Sequence, residues 1–194
     1  MTKSIISSLL LAFAVTTAAF AHQPENGVES TPINAAKSEI LWKGQKVTGT
    51  HTGTVAVKSG KLDLNNGKLV GGKVVVDMTS ITNADLEGEW NGKLVGHLKS
   101  DDFFGVATYP EAIFTIQRAA EAANGEYTVT GDLTIKGKTN PIKFKAYLND
   151  GIATAKIIVD RSKYDVRYGS GSFFDNLGDK TIYDEFELEI KLAY

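Results

Sequence analysis

Cysteine is absent from this chain of 194 residues, and histidine occurs only three times. Without cysteine there is no disulfide bond, so the fold must be stabilised by burial and backbone pairing. His22, His51 and His97 include no pair four residues apart, which argues against a zinc site. The 21 basic and 23 acidic residues are interspersed, whereas a nucleic-acid-binding protein would carry a basic stripe. We therefore expect no metal, no cofactor and no nucleic acid.

Long apolar runs are missing except near the amino terminus. Lys3 precedes an apolar stretch over residues 5–15, and residues 19–21 (AFA) have the small-x-small pattern of a signal-peptide cleavage site. This stretch is shorter than the roughly 20 residues of a membrane-spanning helix. We expect residues 1–21 to be a signal peptide removed before His22, with export to the periplasm. No cysteine stands at the site, so no lipid anchor is expected, and no later apolar run is long enough for a membrane span, so an integral membrane protein is not expected.

Residues 22–36 contain Pro24, Gly27 and Pro32 among polar residues, which predicts a flexible linker, with a short tether as the alternative. After cleavage, His22 would carry a free amine, and an amine together with an imidazole can chelate copper. A flexible linker gives such a site no fixed partners, which argues against it. Residues 37–194 are long enough for one domain with a substantial core.

The dominant hydrophobic period beyond the linker is two. Phe186, Leu188 and Ile190 alternate with acidic residues, as in a strand with one wet face. Comparable alternation predicts eight strands, over residues 40–47, 55–64, 68–78, 112–118, 127–135, 141–148, 152–159 and 185–192. Tight-turn pairs separate several of them: Asn66-Gly67, Asn124-Gly125, Lys136-Gly137 and Asp150-Gly151. Short turns make neighbours antiparallel, and closing the sheet removes its edges. The sequence therefore predicts an all-β, eight-stranded antiparallel up-and-down barrel.

One helix is predicted over residues 84–98, inserted between two strands. Asn83 would be its N-cap, although Gly88 and Gly92 weaken the helix propensity. The expected buried stripe, at steps of four, is Leu86, Trp90, Leu94 and Leu98.

The inward faces of the predicted strands mix large and small residues. The large ones are Trp42, Val55, Val57, Val74, Val76, Phe114, Ile116, Val129, Leu133, Phe144 and Phe186. The small ones are Gly72, Gly131, Ala146, Ala153 and Ala155. An eight-stranded barrel is wide enough either to be filled or to hold one ligand. The small residues predict an apolar, elongated cavity; alternatively, they mark corners and bulges of a filled barrel.

The segment 97–114, HLKSDDFFGVATYPEAIF, places Phe103 and Phe104 on a connector. Asp101-Asp102 favours a turn before the two rings, and Tyr109-Pro110 forces an extended step after them. Large rings on a connector cover either a ligand cavity or an ordinary core. Both alternatives predict that this segment is a lid.

Together with this segment, four others resemble the YceI-like family of secreted, lipocalin-like lipid-binding barrels. They are WKGQKVTGTHTG (42–53), GGKVVVDMTSI (71–81), GDLTIKGKTNPIKF (131–144) and DRSKYDVRYGSGSFFDNLGDK (160–180). In this order and spacing they cover nearly all of the chain after residue 36. The resemblance implies a carrier or storage protein that holds a long-chain isoprenoid, quinone-like or other amphiphilic lipid in the barrel. The sequence leaves open whether the protein is a monomer or a homodimer.

Candidate ligand contacts follow from the inward faces and the connector. For the apolar part of a ligand they are the large inward residues above together with Leu98, Phe103, Phe104, Ala153 and Ala155. For a headgroup they are His97, Arg161 and Tyr168, with a salt-bridged rim as the alternative for Arg161 and its neighbours. A hydrogen-bonded structural role is the favoured alternative for His97, as for His51.

Enzyme signatures are weak in this chain. Residues 168–172, YGSGS, lack the G-x-S-x-G spacing of a nucleophile elbow. Asp101 and Asp102 lie on a connector, where capping is the simpler role. A binding protein is therefore expected. Two other classes stay open: an exported enzyme acting on a lipid-like substrate, which needs a titratable group inside the cavity, and a filled barrel that serves as an interaction module.

Overall fold

A computed structural model describes residues 27–194. The predicted signal peptide, its cleavage site and His22 lie outside these residues. The strands are β1 (Val28–Pro32), β2 (Asn34–Lys46), β3 (Gly49–Asn65), β4 (Lys68–Asp77), β5 (Glu111–Glu121), β6 (Glu126–Ile135), β7 (Lys138–Asn149), β8 (Ile152–Asp160) and β9 (Ile182–Ala193). The α-helix is α1 (Gly88–Lys99), and short 3₁₀ helices span Met78–Ser80, Arg161–Tyr164 and Gly178–Lys180.

Strands β2 to β9 form a closed, antiparallel, up-and-down barrel, which confirms the predicted fold. Each strand pairs with the next along the chain, and β9 pairs with β2 to close the sheet. Burial alternates along β6, where Tyr127, Val129, Gly131 and Leu133 are buried and Thr128, Thr130 and Asp132 are only partly buried. Because successive side chains of a strand point to opposite faces, the period-two pattern gives the closed sheet an apolar inner face and a polar outer face.

The predicted linker over residues 22–36 is wrong from residue 28 onward. Residues 28–32 form β1, which pairs with the far part of β3 from Lys61 to Asn65. The chain then bends at Ile33, whose N–H donates to the carbonyl of Gly60 at 2.9 Å, and continues as β2. β1 is polar and almost entirely exposed, because it extends the barrel rim and does not cover the core. Its sequence therefore lacks the alternation that predicts a half-buried strand.

The four tight turns predicted from sequence are present. Both residues of each pair have a positive φ, as in Asp150 (48°) and Gly151 (74°) between β7 and β8. Such turns match the twist of the strands that they connect, which is why they set antiparallel neighbours.

The helix is shorter than predicted and begins four residues later. Glu87 is the N-cap of α1, and Asn83 instead accepts a hydrogen bond from Leu86 N–H (2.9 Å) and donates to the carbonyl of Thr52 on β3 (2.9 Å). Leu98 is buried, but Trp90 is 68% exposed and stacks with Lys93. The predicted stripe is therefore wrong at Trp90: Leu94 and Leu98 pack toward the core, whereas Trp90 lies at the surface in the first turn of α1.

Two long connections cover the same end of the barrel. Residues 78–110, which include α1, join β4 to β5, and residues 161–181 join β8 to β9. We call this the covered end. The opposite end carries tight turns at residues 66–67 and 150–151 and a short connection at residues 122–125.

Candidate functional site

An apolar cavity of about 200 Å³ lies inside the barrel. Side chains from all eight barrel strands line it, together with Leu98, Phe103 and Phe104 from the covered end. The sequence-predicted residues that line it are Trp42, Val55, Val74, Val76, Leu98, Phe103, Phe104, Phe114, Ile116, Val129, Leu133, Phe144, Ala153, Ala155 and Phe186. Val57 is buried in the core but is not among the lining residues. The register of β3 against β4 shifts directly after Val57, which changes how the strand faces the interior.

The small inward residues divide into two groups. Ala146, Ala153 and Ala155 line the cavity. A Cβ atom at Gly131 would lie 2.3 Å from the carbonyl oxygen of Thr115 and 2.7 Å from the ring of Phe114. At Gly72 it would lie 2.6 Å from the carbonyl of Lys61. The prediction that the glycines leave cavity space is therefore wrong: they permit close strand approach, and only the alanines contribute space.

The lid, which we define as residues 98–106, is a packed turn. Phe103 is 7% exposed, and its ring centroid lies 4.9 Å from that of Phe104 and 5.7 Å from that of His97. The N–H groups of Phe103 and Gly105 both donate to the carbonyl of Ser100. Phe104 is only partly buried, and its ring lies 6.5 Å from that of Phe186 on β9. The two rings thus have different roles, since Phe103 fixes the lid and Phe104 meets a ring from the barrel wall.

Arg161 is buried at 2% exposure beneath the lid. Its Nε donates to the carbonyl of Tyr183 (3.1 Å), and its Nη1 donates to the carbonyls of Val166 and Tyr168 (both 2.9 Å). Its Nη2 donates to the carbonyl of Ile182 (2.9 Å) and lies 3.4 Å from a carboxylate oxygen of Asp184.

A guanidinium has five N–H groups, and four of them donate to these backbone carbonyls, while the carboxylate of Asp184 supplies an ion pair. Burial lowers the pKa of Arg161, while the carboxylates of Asp184 and Asp160 act in the opposite direction. The sequence placed Arg161 at a ligand headgroup. In the structure, Arg161 lines the cavity and also organises the 161–181 connection through the carbonyls of Val166 and Tyr168.

His97 and Tyr168 are not among the cavity-lining residues. Their rings lie 4.4 Å apart, and His97 also packs on Phe103. Tyr168 is half exposed and lines a polar surface groove with Asp101, Asp102 and Arg167. The three predicted headgroup residues therefore gather near Phe103, but only Arg161 among them lines the cavity. Among residues 27–194, the Nε2 atom of His97 is buried without a hydrogen-bond partner.

His51 has a hydrogen-bonded role at the covered end. Its Nδ1 atom lies 2.7 Å from a carboxylate oxygen of Asp85, whose other oxygen accepts from the N–H of Thr52 at 2.7 Å. Burial alone would raise the pKa of Asp85, but the hydrogen bonds from Thr52, His51 and Asn83 lower it below its ordinary value. This contact ties the start of β3 to the connection that precedes α1. Sequence could not identify Asp85 as the partner, since the two residues are 34 positions apart.

Chemical groups suited to catalysis are scarce in the cavity. Arg161 and Tyr183 are the titratable residues among those that line it. Within residues 27–194 there is no group of three or more His, Cys, Asp or Glu side chains that could hold a metal ion. The same part of the chain has no helix that is both long and apolar enough to cross a membrane. The arrangement offers an apolar space without an acid–base pair.

Several lining residues were not named as candidate ligand contacts from the sequence. They are Ile40, Leu62, Leu69, Met78, Ile81, Ala112, Ile135, Ile142, Leu148, Ile157, Leu188, Ile190 and Leu192. Most of them lie on the inward faces of strands that the period-two pattern already predicted. Applying that period to every residue of each strand would have found them.

Comparison with known proteins supports the same architecture. The protein BcnA of Burkholderia cenocepacia superposes with a TM-score of 0.66 at 22% identity, over 84% of this chain and 99% of that one. A polyisoprenoid binding domain from Saccharophagus degradans, implicated in plant cell wall breakdown, superposes with a TM-score of 0.61 at 16% identity, over 86% and 97% of the two chains. At these identities the similarity establishes the fold.

Curated relatives and a family model show to which family the sequence belongs. A UPF0312 protein of Shewanella denitrificans is 35% identical over 127 residues, which is 60% of this chain and 64% of that protein. A UPF0312 protein of Vibrio campbellii is 38% identical over 73 residues, 38% of this chain and 35% of its own length. The chain thus matches less than two thirds of the length of these relatives. The model of the YceI-like domain matches residues 32–194. This chain therefore belongs to the YceI-like domain family.

Proposed function

We propose that this protein is a carrier or storage protein that binds a long-chain isoprenoid or similar amphiphilic lipid inside the barrel. The observation that carries the proposal is the cavity, whose walls are apolar side chains from every barrel strand. A filled barrel would have no such space, which counts against the interaction-module alternative. The near absence of titratable lining residues favours binding over catalysis.

Energetics favour an apolar ligand in this space. Unfilled volume in a protein core costs about 24 cal/mol per Å³, so a cavity of about 200 Å³ corresponds to about 5 kcal/mol. Each methylene group moved from water into it gains about 0.8 kcal/mol. An apolar chain recovers part of the lost packing and removes its own surface from water. A polar ligand would leave its hydrogen-bonding groups without partners among these walls.

The volume of the cavity indicates how a long chain would be held. Cavities of somewhat smaller volume, about 150 Å³, accept one aromatic ring in other proteins. A longer chain therefore requires side chains such as Phe104 and Phe186 to turn aside and extend the cavity. The polyisoprenoid binding domain with the same fold supports an isoprenoid as the ligand class. A quinone with an isoprenoid tail belongs to the same class.

The proposed location is the periplasm, after removal of residues 1–21. The support is the sequence of that segment, with Lys3 before an apolar stretch and a small-x-small site at residues 19–21. Long-chain lipids are nearly insoluble in water, so a carrier between membranes has a clear physical use. Amino-terminal sequencing of periplasmic protein should begin at His22, and exported protein that retained Met1 would contradict the proposed cleavage.

The central test is native mass spectrometry of the purified protein, followed by organic extraction. We expect a bound species whose mass is released into the organic phase and whose fragmentation shows an apolar chain. Ligand-stripped protein should regain the added mass when it is mixed with a long-chain polyprenol. Protein that purifies without a lipid and takes up none from such a mixture would overturn the proposal.

A further inference from the structure

The barrel wall is incompletely paired between β7 and β8. Only residues 146–149 of β7 pair with residues 152–155 of β8, and the ladder stops at Ala146 and Ala155. By contrast, β6 pairs with β7 from Lys138 to Tyr147, and β8 pairs with β9 along its whole length. Both strands thus continue toward the covered end without pairing to each other. We call this interval, residues 138–145 of β7 and 156–160 of β8, the seam.

The sequence explains why the seam stays unpaired. Continuing the register from Ala146 and Ala155 would place Lys145 opposite Lys156, and like charges directly opposite each other destabilise a strand pair. Each lysine is held away from the seam by an ion pair: Lys145 with Glu126 on β6 (2.8 Å) and Lys156 with Glu187 on β9 (2.7 Å). Pro141, further along β7, has no N–H to donate across the interval.

The seam borders the cavity directly. Ile142 and Phe144 on the β7 side line the cavity, and so do Ala155 and Ile157 on the β8 side. At the end of the seam nearest the covered end, the side chain of Asn140 donates to the carbonyl of Lys163 at 2.8 Å, which joins β7 to the 3₁₀ helix that follows β8. The seam is therefore a window in the side of the barrel, bounded by strand pairing at Ala146 and Ala155 and by the Asn140–Lys163 hydrogen bond at its other end.

The covered end is a harder route into the same cavity. There the lid is fixed by Phe103 packing, by backbone hydrogen bonds to Ser100, and by Lys136, whose Nζ donates to the carbonyl of Asp101 at 2.9 Å. Opening it would also disturb Arg161, whose guanidinium lies 5.4 Å from the ring of Phe103. Separating β7 from β8 at the seam would break far fewer contacts than opening the lid would.

We infer that the seam between β7 and β8 is the route by which an apolar chain passes into and out of the cavity. This inference rests on the proposed lipid-binding function. A linear chain passes sideways between the strands, with Phe144 and Ile157 at the edges of the window, while the lid stays closed. The ligand class that fits is an unbranched or isoprenoid chain narrow enough to pass between two strands, and a fused ring system is excluded.

The test bridges the seam covalently. The chain has no cysteine, so a pair introduced as Lys143→Cys and Ile158→Cys would be the only thiols. By continuation of the register these positions face each other on the outer surface. Where the strands are too far apart for a disulfide, which needs Cα atoms within about 7 Å, dibromobimane can bridge the thiols instead. The readout is stopped-flow fluorescence of a pyrene-labelled long-chain alcohol during uptake and release.

Two matched pairs serve as controls. Thr130→Cys with Lys143→Cys bridges β6 to β7, where the strands are already paired. Asp101→Cys with Lys136→Cys bridges the lid to the turn between β6 and β7. We expect the seam bridge to slow both uptake and release by about tenfold or more, as closure of a gate does, with little change in equilibrium affinity. Neither control bridge should change the rates.

Each other outcome contradicts a distinct statement. Unchanged rates in the bridged seam, with normal binding, would overturn the window alone. Slowing by the lid bridge and not by the seam bridge would assign the route to the covered end. Failure of the unbridged protein to bind the probe or a polyprenol would overturn the proposed function, and the window with it.

Discussion

The guanidinium carbon of Arg161 lies 5.4 Å from the ring centroid of Phe103. Arg161 follows β8 and Phe103 belongs to the lid, so this contact joins the two connections that cover the barrel. A cation over an aromatic face is attractive, more so when water is excluded, as it is here. The covered end is consequently one packed unit, and removing either partner should affect both connections.

Replacing Arg161 with methionine should strongly destabilise the protein. The substitution removes the ion pair with Asp184 and the donor of four backbone carbonyls, and loss of one partner of a buried ion pair costs about 3–5 kcal/mol. Urea denaturation would measure the free energy of unfolding. The control is Arg167→Met, because Arg167 is 59% exposed and pairs with Asp165 at the surface. That change should stay within about 0.5 kcal/mol. Similar costs for both substitutions would contradict the structural role of Arg161.

The two lid phenylalanines should respond differently to truncation. Phe103→Ala removes a buried ring and should lower the free energy of unfolding by about 3–5 kcal/mol. Phe104→Ala should cost less, because its ring is only partly buried and borders the cavity. Phe104→Ala also enlarges the cavity, so this variant should prefer longer chains than the wild type does. Affinities for a series of alcohols of increasing length would show this. Equal stability losses, with an unchanged length preference, would assign both rings to the core.

A tryptophan at Ala155 should occupy ligand space. Ala155 lines the cavity on β8, opposite Ala146, and its side chain is small enough that a larger one projects into the interior. We expect Ala155→Trp to keep the barrel, judged by circular dichroism and melting, and to lose most of its co-purifying lipid.

The matched control for this substitution is Lys191→Trp, which adds the same ring to the exposed face of the neighbouring strand β9. It should retain the lipid. A stable Ala155→Trp protein with full lipid occupancy would refute the position of the binding site. Severe destabilisation would instead indicate a filled interior, where overpacking typically costs about 1–3 kcal/mol.

Tyr164 should make the protein sensitive to alkaline pH. Burial raises the pKa of Tyr164 to about 12, with Asp160 adding to the shift, whereas an unfolded tyrosine titrates near pH 10. The unfolded state therefore loses its proton first as pH rises. This contribution to stability is fully present below about pH 10 and is lost between about pH 10 and pH 12.

The variant that tests this is Tyr164→Phe. The hydroxyl is buried and has no hydrogen-bond partner among residues 27–194, so its removal should leave stability at pH 7 unchanged or slightly increased. Melting temperatures from pH 8 to pH 12 should fall less steeply than those of the wild type. Parallel curves would show that another group governs the alkaline transition.

Much of the binding site could be predicted because burial follows the period of the strand. The inward positions Trp42, Phe114 and Val129 were found by alternation alone, and the structure places each of them on the cavity wall. Alternation could not distinguish Gly131 from Ala155, since both are small and inward. Only the distance from a Cβ atom at Gly131 to the carbonyl oxygen of Thr115 on the adjacent strand shows that Gly131 marks a close strand approach, whereas Ala155 leaves space.

The sequence by itself determined the antiparallel barrel, because strand period, turn chemistry and the need to cover apolar faces all act locally or through composition. Tertiary structure decided what depends on residues distant in the chain. In the folded protein, the N–H groups of Arg161 donate to carbonyls up to 22 positions away in the chain, and His51 pairs with Asp85. The β7–β8 ladder ends at Ala146. Such contacts arise only when the closed sheet brings separate segments together, so no local pattern encodes them.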